Sequence, residues 1–150
     1  MLSSVRRLAR RVARSTLDDP DEAPLLVVYF HSVDEAKSVA AELGAPVYYA
    51  DMSGEERSKA LHCWLTEAHV LCATSAFGVG IDESRTVAVA HWKLPFSLID
   101  WVQMAGRGSR NGSPSTAVIF TTPGQTCGDA ALRAFLDAPC RRASVVGYLD

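Results

Sequence analysis

Apolar residues along the chain alternate between short continuous runs and segments with helical spacing. Residues 25–30 form a run of the kind that a parallel strand buried on both faces requires. Similar runs at residues 47–50, 70–73, 87–91 and 116–120 predict four more strands. Helical segments lie between these runs, and such alternation predicts a parallel sheet flanked by helices, with the ligand edge at the carboxyl ends of the strands.

Capping residues mark where several of the predicted helices begin and end. Ser32 with Glu35, and Ser53 with Glu56, have the spacing of two capping boxes. Gly44 stands where a left-handed residue ends a helix. The helices are therefore predicted over residues 33–43, 54–66, 97–104, 128–136 and 140–149.

The N-terminal segment has two open interpretations. Residues 1–17 contain five arginines, several serines and no acid, which is typical of a mitochondrial presequence. Its apolar residues also recur at helical spacing, which is typical of an amphipathic helix that packs on the domain with solvated arginines. An acidic stretch bounded by two prolines follows and predicts a linker. The predicted organisation is a helix and linker over 1–24, an α/β lobe over 25–125, and closing helices over 126–150.

Composition narrows the class of protein. The 150 residues, 48% hydrophobic and 21% charged, predict one globular domain. A formal net charge of −2 argues against coating of nucleic acid through bulk positive charge, so any DNA contact must be local. No apolar run approaches the roughly 20 residues of a membrane span. The four cysteines form no CxxC pair, so we expect a reducing compartment and no complete zinc site.

The loop over residues 73–82 has a candidate role in binding phosphate and sugar. Glycines on both sides of Val79 let backbone amides approach a phosphate closely. Thr74 and Ser75 can donate to a phosphodiester, and Asp82 can accept from a ribose hydroxyl. A simple glycine turn at the end of a strand is the alternative.

The loop over residues 103–112 contains two arginines three positions apart among glycines. Arg107 and Arg110 suit a transferring phosphoryl group, because guanidinium stays charged and donates hydrogen bonds as a fork. A pair of solvated surface arginines is the alternative. Removal of the side chains distinguishes the two, since an arginine finger raises rates by about 10³ to 10⁵ in GTPases.

Together the two loops resemble motifs V and VI of RecQ helicases. Residues 73–82 are similar to ATxAFGMGID and differ from it only at Val79. Residues 103–112 are similar to QExGRAGRDG, and weaker similarity upstream includes the motif IV region at His31 and Ser32. The motif VI matches are Gln103, Gly106, Arg107, Arg110 and Gly112.

The resemblance implies a RecA-like helicase C-terminal domain, the second motor lobe of an ATP-dependent 3′-to-5′ DNA helicase. Arg107 and Arg110 would reach ATP that a separate P-loop lobe holds with Mg²⁺, with Arg110 as the finger. The nucleotide side would also include Gly80, Asp82, Gln103 and Gly106.

The same resemblance implies contact with single-stranded DNA. Thr74, Ser75 and Ser32 would touch the DNA backbone, so little base preference is expected. It also implies a nuclear protein of DNA repair and recombination. The alternatives are the mitochondrion, from the arginine-rich N-terminus, and the bacterial cytoplasm.

Motif VI and the C-terminus depart from the family. Met104 replaces the glutamate of the family motif, and Asn111 replaces its aspartate. Ser109 replaces a glycine. If that glycine takes positive φ in the family, the serine costs up to about 1–2 kcal/mol of local strain, unless Gly108 takes over the turn. Cys140 resembles the first zinc ligand of the RecQ zinc subdomain, although Zn²⁺ would need a longer chain; a half-buried helical cysteine is the alternative.

The chain contains neither a GxxxxGK sequence followed by Ser or Thr nor an acidic box for magnesium. We therefore expect ATP hydrolysis from a complete two-lobe motor and none from the isolated chain. Two other functions remain open: a non-catalytic nucleic-acid-binding remnant of a helicase, and an unrelated nucleotide-binding α/β domain.

Overall fold

A parallel sheet of five strands organises the computed structural model, which describes residues 1–14, 23–78, 83–108, 112 and 114–149. The spatial order of the described strands is β2-β3-β1-β4-β5, and all paired strands are parallel. The predicted α/β architecture is confirmed. The strands are β1 (Leu25–Tyr29), β2 (Val47–Tyr48), β3 (Val70–Ala73), β4 (Thr86–Trp92) and β5 (Thr116–Phe120).

Helices cover both faces of the sheet, at bounds close to the predicted ones. They are α1 (Leu2–Ala13), α2 (Val33–Leu43), α3 (Gly54–Cys63), α4 (Leu98–Ala105), α5 (Ala130–Asp137) and α6 (Arg141–Leu149). The Ser53 and Glu56 capping box at the start of α3 forms in full, and Gly44 ends α2 with a φ of 64°. No described helix has both the length and the apolar character of a bilayer span.

The first predicted capping box is only half formed. The Ser32 hydroxyl accepts a hydrogen bond from the Glu35 amide at 3.4 Å. The Glu35 carboxylate pairs with the ammonium of Lys93 instead of returning to the Ser32 amide. Sequence spacing could not reveal this competition, because Lys93 follows β4 and is distant from Glu35 in the sequence.

The predicted helix over 54–66 divides into two parts. After α3 the chain widens into a short π-helix, Trp64–Ala68, and the His69 amide donates to the Trp64 carbonyl at 3.1 Å. His69 takes a left-handed φ of 56° and ends the segment. The wider turn accompanies the burial of Trp64, which is 1% exposed.

The central strand β1 is buried on both faces. Its residues alternate, as the pleat of a strand requires. Leu26 and Val28 belong to the cluster under α1 and α2, whereas Leu25, Val27 and Tyr29 belong to the cluster around Trp64. The continuous apolar pattern of this strand therefore reflects two cores, one on each side of the sheet.

The N-terminal helix α1 is a layer of this fold. Val5, Leu8 and Val12 are buried in the cluster that includes β1 and α2. At the surface, the Arg6 guanidinium donates to the Glu42 carbonyl at 3.0 Å and to its carboxylate at 3.2 Å. This is the packing that the amphipathic-helix interpretation predicts; the following residues 15–22 lie outside the described part of the chain.

Truncation of a buried α1 side chain tests whether the helix stabilises the domain. Leu8→Ala should lower the free energy of unfolding by about 2–5 kcal/mol, because it leaves a cavity between helix and sheet. The exposed Arg10→Ala on the same helix is the matched control and should change it by less than about 0.5 kcal/mol. Denaturant titration measures both, and equal stability of the two variants would show that α1 does not contribute.

Candidate functional site

An aromatic anchor holds the loop that follows β3. The Thr74 amide donates to the Tyr48 carbonyl, and the Phe77 amide donates to the Thr74 carbonyl, each at 3.0 Å. The Phe77 ring meets Tyr48 and Trp64 edge to face, with ring centroids 5.4 Å apart in both pairs. Such geometry adds to the stabilisation from burial. The loop therefore leaves the sheet in a defined conformation, with Thr74 half-buried and Ser75 exposed.

The two loops singled out by sequence meet at Gly78. This glycine has a φ of +149°, and a Cβ built on it would lie 2.9 Å from Nη2 and 3.1 Å from Cζ of Arg107. Only a residue without a side chain lets the guanidinium lie so close to the backbone. Arg107 itself follows α4 in a turn, its amide donating to the Met104 carbonyl at 3.0 Å.

The positive charge of Arg107 has no acidic partner among the described residues. The ion pairs of that part of the chain involve other cations, namely Arg6, Lys59, Arg85 and Lys93. Arg107 is half-buried, and its guanidinium lies against the backbone at Gly78. Such a group suits an anion supplied from outside, since guanidinium donates two parallel hydrogen bonds to a phosphate.

The other predicted nucleotide-side residues divide into two groups. Gly80, Asp82 and Arg110 lie outside the described residues. Gln103 is exposed on α4, and Gly106 caps the C-terminus of that helix just before Arg107. Gln103, Gly106 and Arg107 of motif VI thus lie together at the C-terminal end of α4.

Gly108 does not take over a left-handed turn, and Ser109 lies outside the described residues. The φ of Gly108 is not positive, whereas Gly112 has a φ of +81°. A Cβ at Gly108 would lie 3.0 Å from both Cβ and Oγ of Ser115. Close approach to the start of β5, rather than backbone handedness, explains why a glycine fits at this position.

The residues predicted to face DNA share one edge of the sheet. Ser32 follows β1, and Thr74 and Ser75 follow β3. These strands are neighbours, with Tyr29 opposite Ala73. The Ser32 oxygen accepts from the α2 amide, which leaves its hydroxyl proton free to be donated to another acceptor.

A pocket of about 140 Å³ opens beside this edge, between the ends of β1 and β4. The His31 Nε2 donates to the Leu94 carbonyl at 2.5 Å, and its ring centroid lies 3.9 Å from that of Phe96. Phe96 is 74% exposed, whereas His91, which also lines the pocket, is 2% exposed. Sequence reasoning missed this pocket; its signals were a histidine in an apolar strand and a phenylalanine in the loop after that strand.

His91 is neutral at physiological pH. Burial and, to a smaller extent, the nearby His31 lower its pKa to about 4, against the opposing effect of Asp100. Its ring contacts those of Tyr29 and Trp101, with centroids 5.5 Å and 5.2 Å away. The Nε2 atom is buried without a hydrogen-bond partner among the described residues.

Comparison with known proteins identifies the family. Residues 10–112 match the family described as the helicase conserved C-terminal domain. The chain belongs to that family. RecQ-family DNA helicases are relatives of this helicase C-terminal domain, as motifs V and VI predicted.

Three of these relatives show the extent of the similarity. The domain is 33% identical over 100 residues to ATP-dependent DNA helicase Q5 of Rattus norvegicus, covering 63% of this chain and 10% of the relative. It is 37% identical over 100 residues to RecQ-like DNA helicase blm-1 of Caenorhabditis elegans, with the same coverage. It is 32% identical over 103 residues to ATP-dependent DNA helicase RecQ of Haemophilus influenzae, covering 65% of this chain and 17% of that protein. The match thus spans a small part of each relative.

Solved structures share the fold of this helicase C-terminal domain. The Escherichia coli DEAD-box protein SrmB, solved with RraA, has a TM-score of 0.63 at 22% identity, over 81% of this chain and 72% of that one. Mycobacterium smegmatis helicase Lhr, solved with single-stranded DNA and AMP-PNP, has a TM-score of 0.63 at 19% identity, over 80% and 16% of the two chains. At these identities the likeness establishes the fold alone.

The predicted zinc ligand Cys140 is exposed just before α6. Within the described ranges, no group of three or more His, Cys, Asp or Glu residues is arranged to hold a metal ion. The role of Cys140 stays a prediction about a longer chain.

Burial of neutral His91 predicts an acid-sensitive stability. Its folded pKa of about 4 lies below the ordinary 6.5, so the unfolded chain binds the extra proton. The stabilisation that comes from keeping His91 neutral is complete above about pH 6.5 and is lost as the pH falls toward 4. At pH 5 the free energy of unfolding is lower by about 2 kcal/mol.

Denaturant titrations at neutral and acid pH measure this change. His91→Leu should remove that part of the pH dependence, and the exposed His62→Gln should keep it. An unaltered pH slope in His91→Leu would show that His91 is not the group responsible.

Proposed function

We propose that this helicase C-terminal domain is the second motor lobe of a RecQ-like DNA helicase and acts with a P-loop lobe over ATP. The contact between Gly78 and Arg107 is the observation that carries the proposal. It joins the loop that resembles motif V to the loop that resembles motif VI, and it leaves a guanidinium without an acidic partner among the described residues.

The chemistry on the nucleotide side is electrostatic. ATP and its Mg²⁺ would be held mainly by the P-loop lobe, whereas Arg107 and Arg110 would donate to the phosphate oxygens. Their forked donors stabilise the charge that develops on the transferring phosphoryl group. Because Arg107 is positioned by packing, little reorganisation is needed when the lobes close.

The hydroxyl groups of Ser32, Thr74 and Ser75 would bind the phosphodiester backbone of single-stranded DNA. Backbone contacts of this kind position the strand and read little sequence. With a net charge of −2, the domain lacks the excess cations for strong nonspecific binding, so these few local donors must supply its contact with the strand.

One loop would serve both ligands. Thr74 and Ser75 begin the loop after β3, Phe77 anchors it in the core, and Gly78 contacts Arg107. A shift of this loop on DNA binding would therefore move the backbone against which the guanidinium packs. Closure of domains around a ligand is a common conformational step in enzymes.

A non-catalytic nucleic-acid-binding module is the second candidate function. The replacements at Met104, Ser109 and Asn111 favour it, since each departs from the motif VI pattern. This module would keep the edge formed by the ends of β1 and β3 while making no use of the arginines.

Turnover by a reconstituted motor distinguishes the two functions. Paired with the P-loop lobe of a RecQ-family helicase, the Arg110→Ala variant should hydrolyse ATP about 10³-fold more slowly or worse, because the transition-state charge loses its donor. The exposed Arg133→Ala on α5 is the matched control and should leave turnover unchanged.

Arg107→Ala serves as a second variant in the same ATPase assay. Wild-type turnover in both Arg107→Ala and Arg110→Ala would overturn the motor role. Salt-dependent binding of single-stranded DNA with no ATP requirement would then favour the binding module.

A further inference from the structure

The pocket between the ends of β1 and β4 has an aromatic rim, and its described lining residues include no lysine or arginine. Phe96 and His31 form the rim, with Phe96 largely exposed. Among the described lining residues, Asp100 is the only acidic one, and its carboxylate also accepts from the Ser97 hydroxyl at 2.7 Å. The carboxylate disfavours a phosphate directly beside it, whereas a neutral planar group would fit the available chemistry.

The interior of the pocket provides a second, independent indication of a ligand. His91 lines the pocket, is 2% exposed, and has a buried Nε2 without a hydrogen-bond partner among the described residues. Leaving such an atom unsatisfied costs about 1–3 kcal/mol. A ligand that brings a donor or an acceptor to this atom recovers part of that cost.

The neighbouring Ser75 identifies the class of ligand. It lines the same pocket and, under the proposed function on which this inference rests, contacts the DNA backbone. A strand held there by its phosphate has a base within reach of the pocket. Nucleobases combine a stackable face with an edge that carries both donors and acceptors.

We propose that the pocket receives one base of the single strand, which stacks on the Phe96 ring and hydrogen-bonds to Nε2 of His91. The base then contributes to affinity in addition to the backbone contacts. Because every base has a face that stacks, the contact depends on whether a base is present and only weakly on which base it is.

An abasic oligonucleotide separates this contact from backbone binding. Fluorescence anisotropy would measure the affinity of the chain for a mixed-sequence single-stranded DNA and for an abasic strand of the same length. Phe96→Ala should weaken binding of the base-containing strand by about 5- to 150-fold, the range expected for one stacked base. Binding of the abasic strand should not change.

Two control variants accompany this measurement. Phe96→Tyr keeps the ring and should retain wild-type affinity. Ile99→Ala removes another exposed apolar side chain, 39% exposed on α4 and outside the pocket lining, and should affect neither strand.

Each outcome bears on one of the two proposals. If wild type binds neither strand at low salt, the DNA-facing edge is wrong and the base pocket falls with it. If wild type binds both strands equally, or if Phe96→Ala changes neither or both alike, the base pocket alone is overturned. Weaker association of Phe96→Ala with a P-loop lobe, at unchanged DNA affinity, would assign the pocket to the other lobe and also overturn it.

Discussion

The absence of a side chain at Gly78 is the constraint on which the functional edge depends. The Arg107 guanidinium occupies the space that a Cβ at Gly78 would fill. The Phe77 ring, just before Gly78 in the chain, packs against Tyr48 and Trp64, so the core on one face of the sheet holds the backbone against which the guanidinium lies. An electrostatic group is thus positioned by van der Waals packing, which needs no charged partner to hold it.

The strand order explains why the candidate sites are adjacent. The strand β1 lies between β3 and β4, so the segments that follow all three strands leave the same edge of the sheet. Ser32, the loop at residues 74–78 and the segment with Phe96 are brought together there although they are far apart in sequence. Ligand sites in open parallel sheets form at such an edge.

Much of the fold was predictable because its signals are local. Apolar runs, the Ser53 capping box and Gly44 each depend on a few neighbouring residues. The features that sequence did not reveal depend on distant ones: Lys93 takes the Glu35 carboxylate from its predicted box, and burial of Trp64 accompanies the π-helix. In the site, Arg107 was predictable from its motif, whereas the pocket around His91 and Phe96 required the tertiary arrangement of β1 and β4.

A double-mutant cycle on Gly78 and Arg107 tests the central contact most directly, with ATP turnover of the two-lobe assembly as the readout. If Gly78 acts by holding the guanidinium, Gly78→Ala slows turnover in the wild-type background and has little further effect once Arg107 is alanine. If the two substitutions instead reduce turnover by independent factors that multiply, the glycine does not position the arginine.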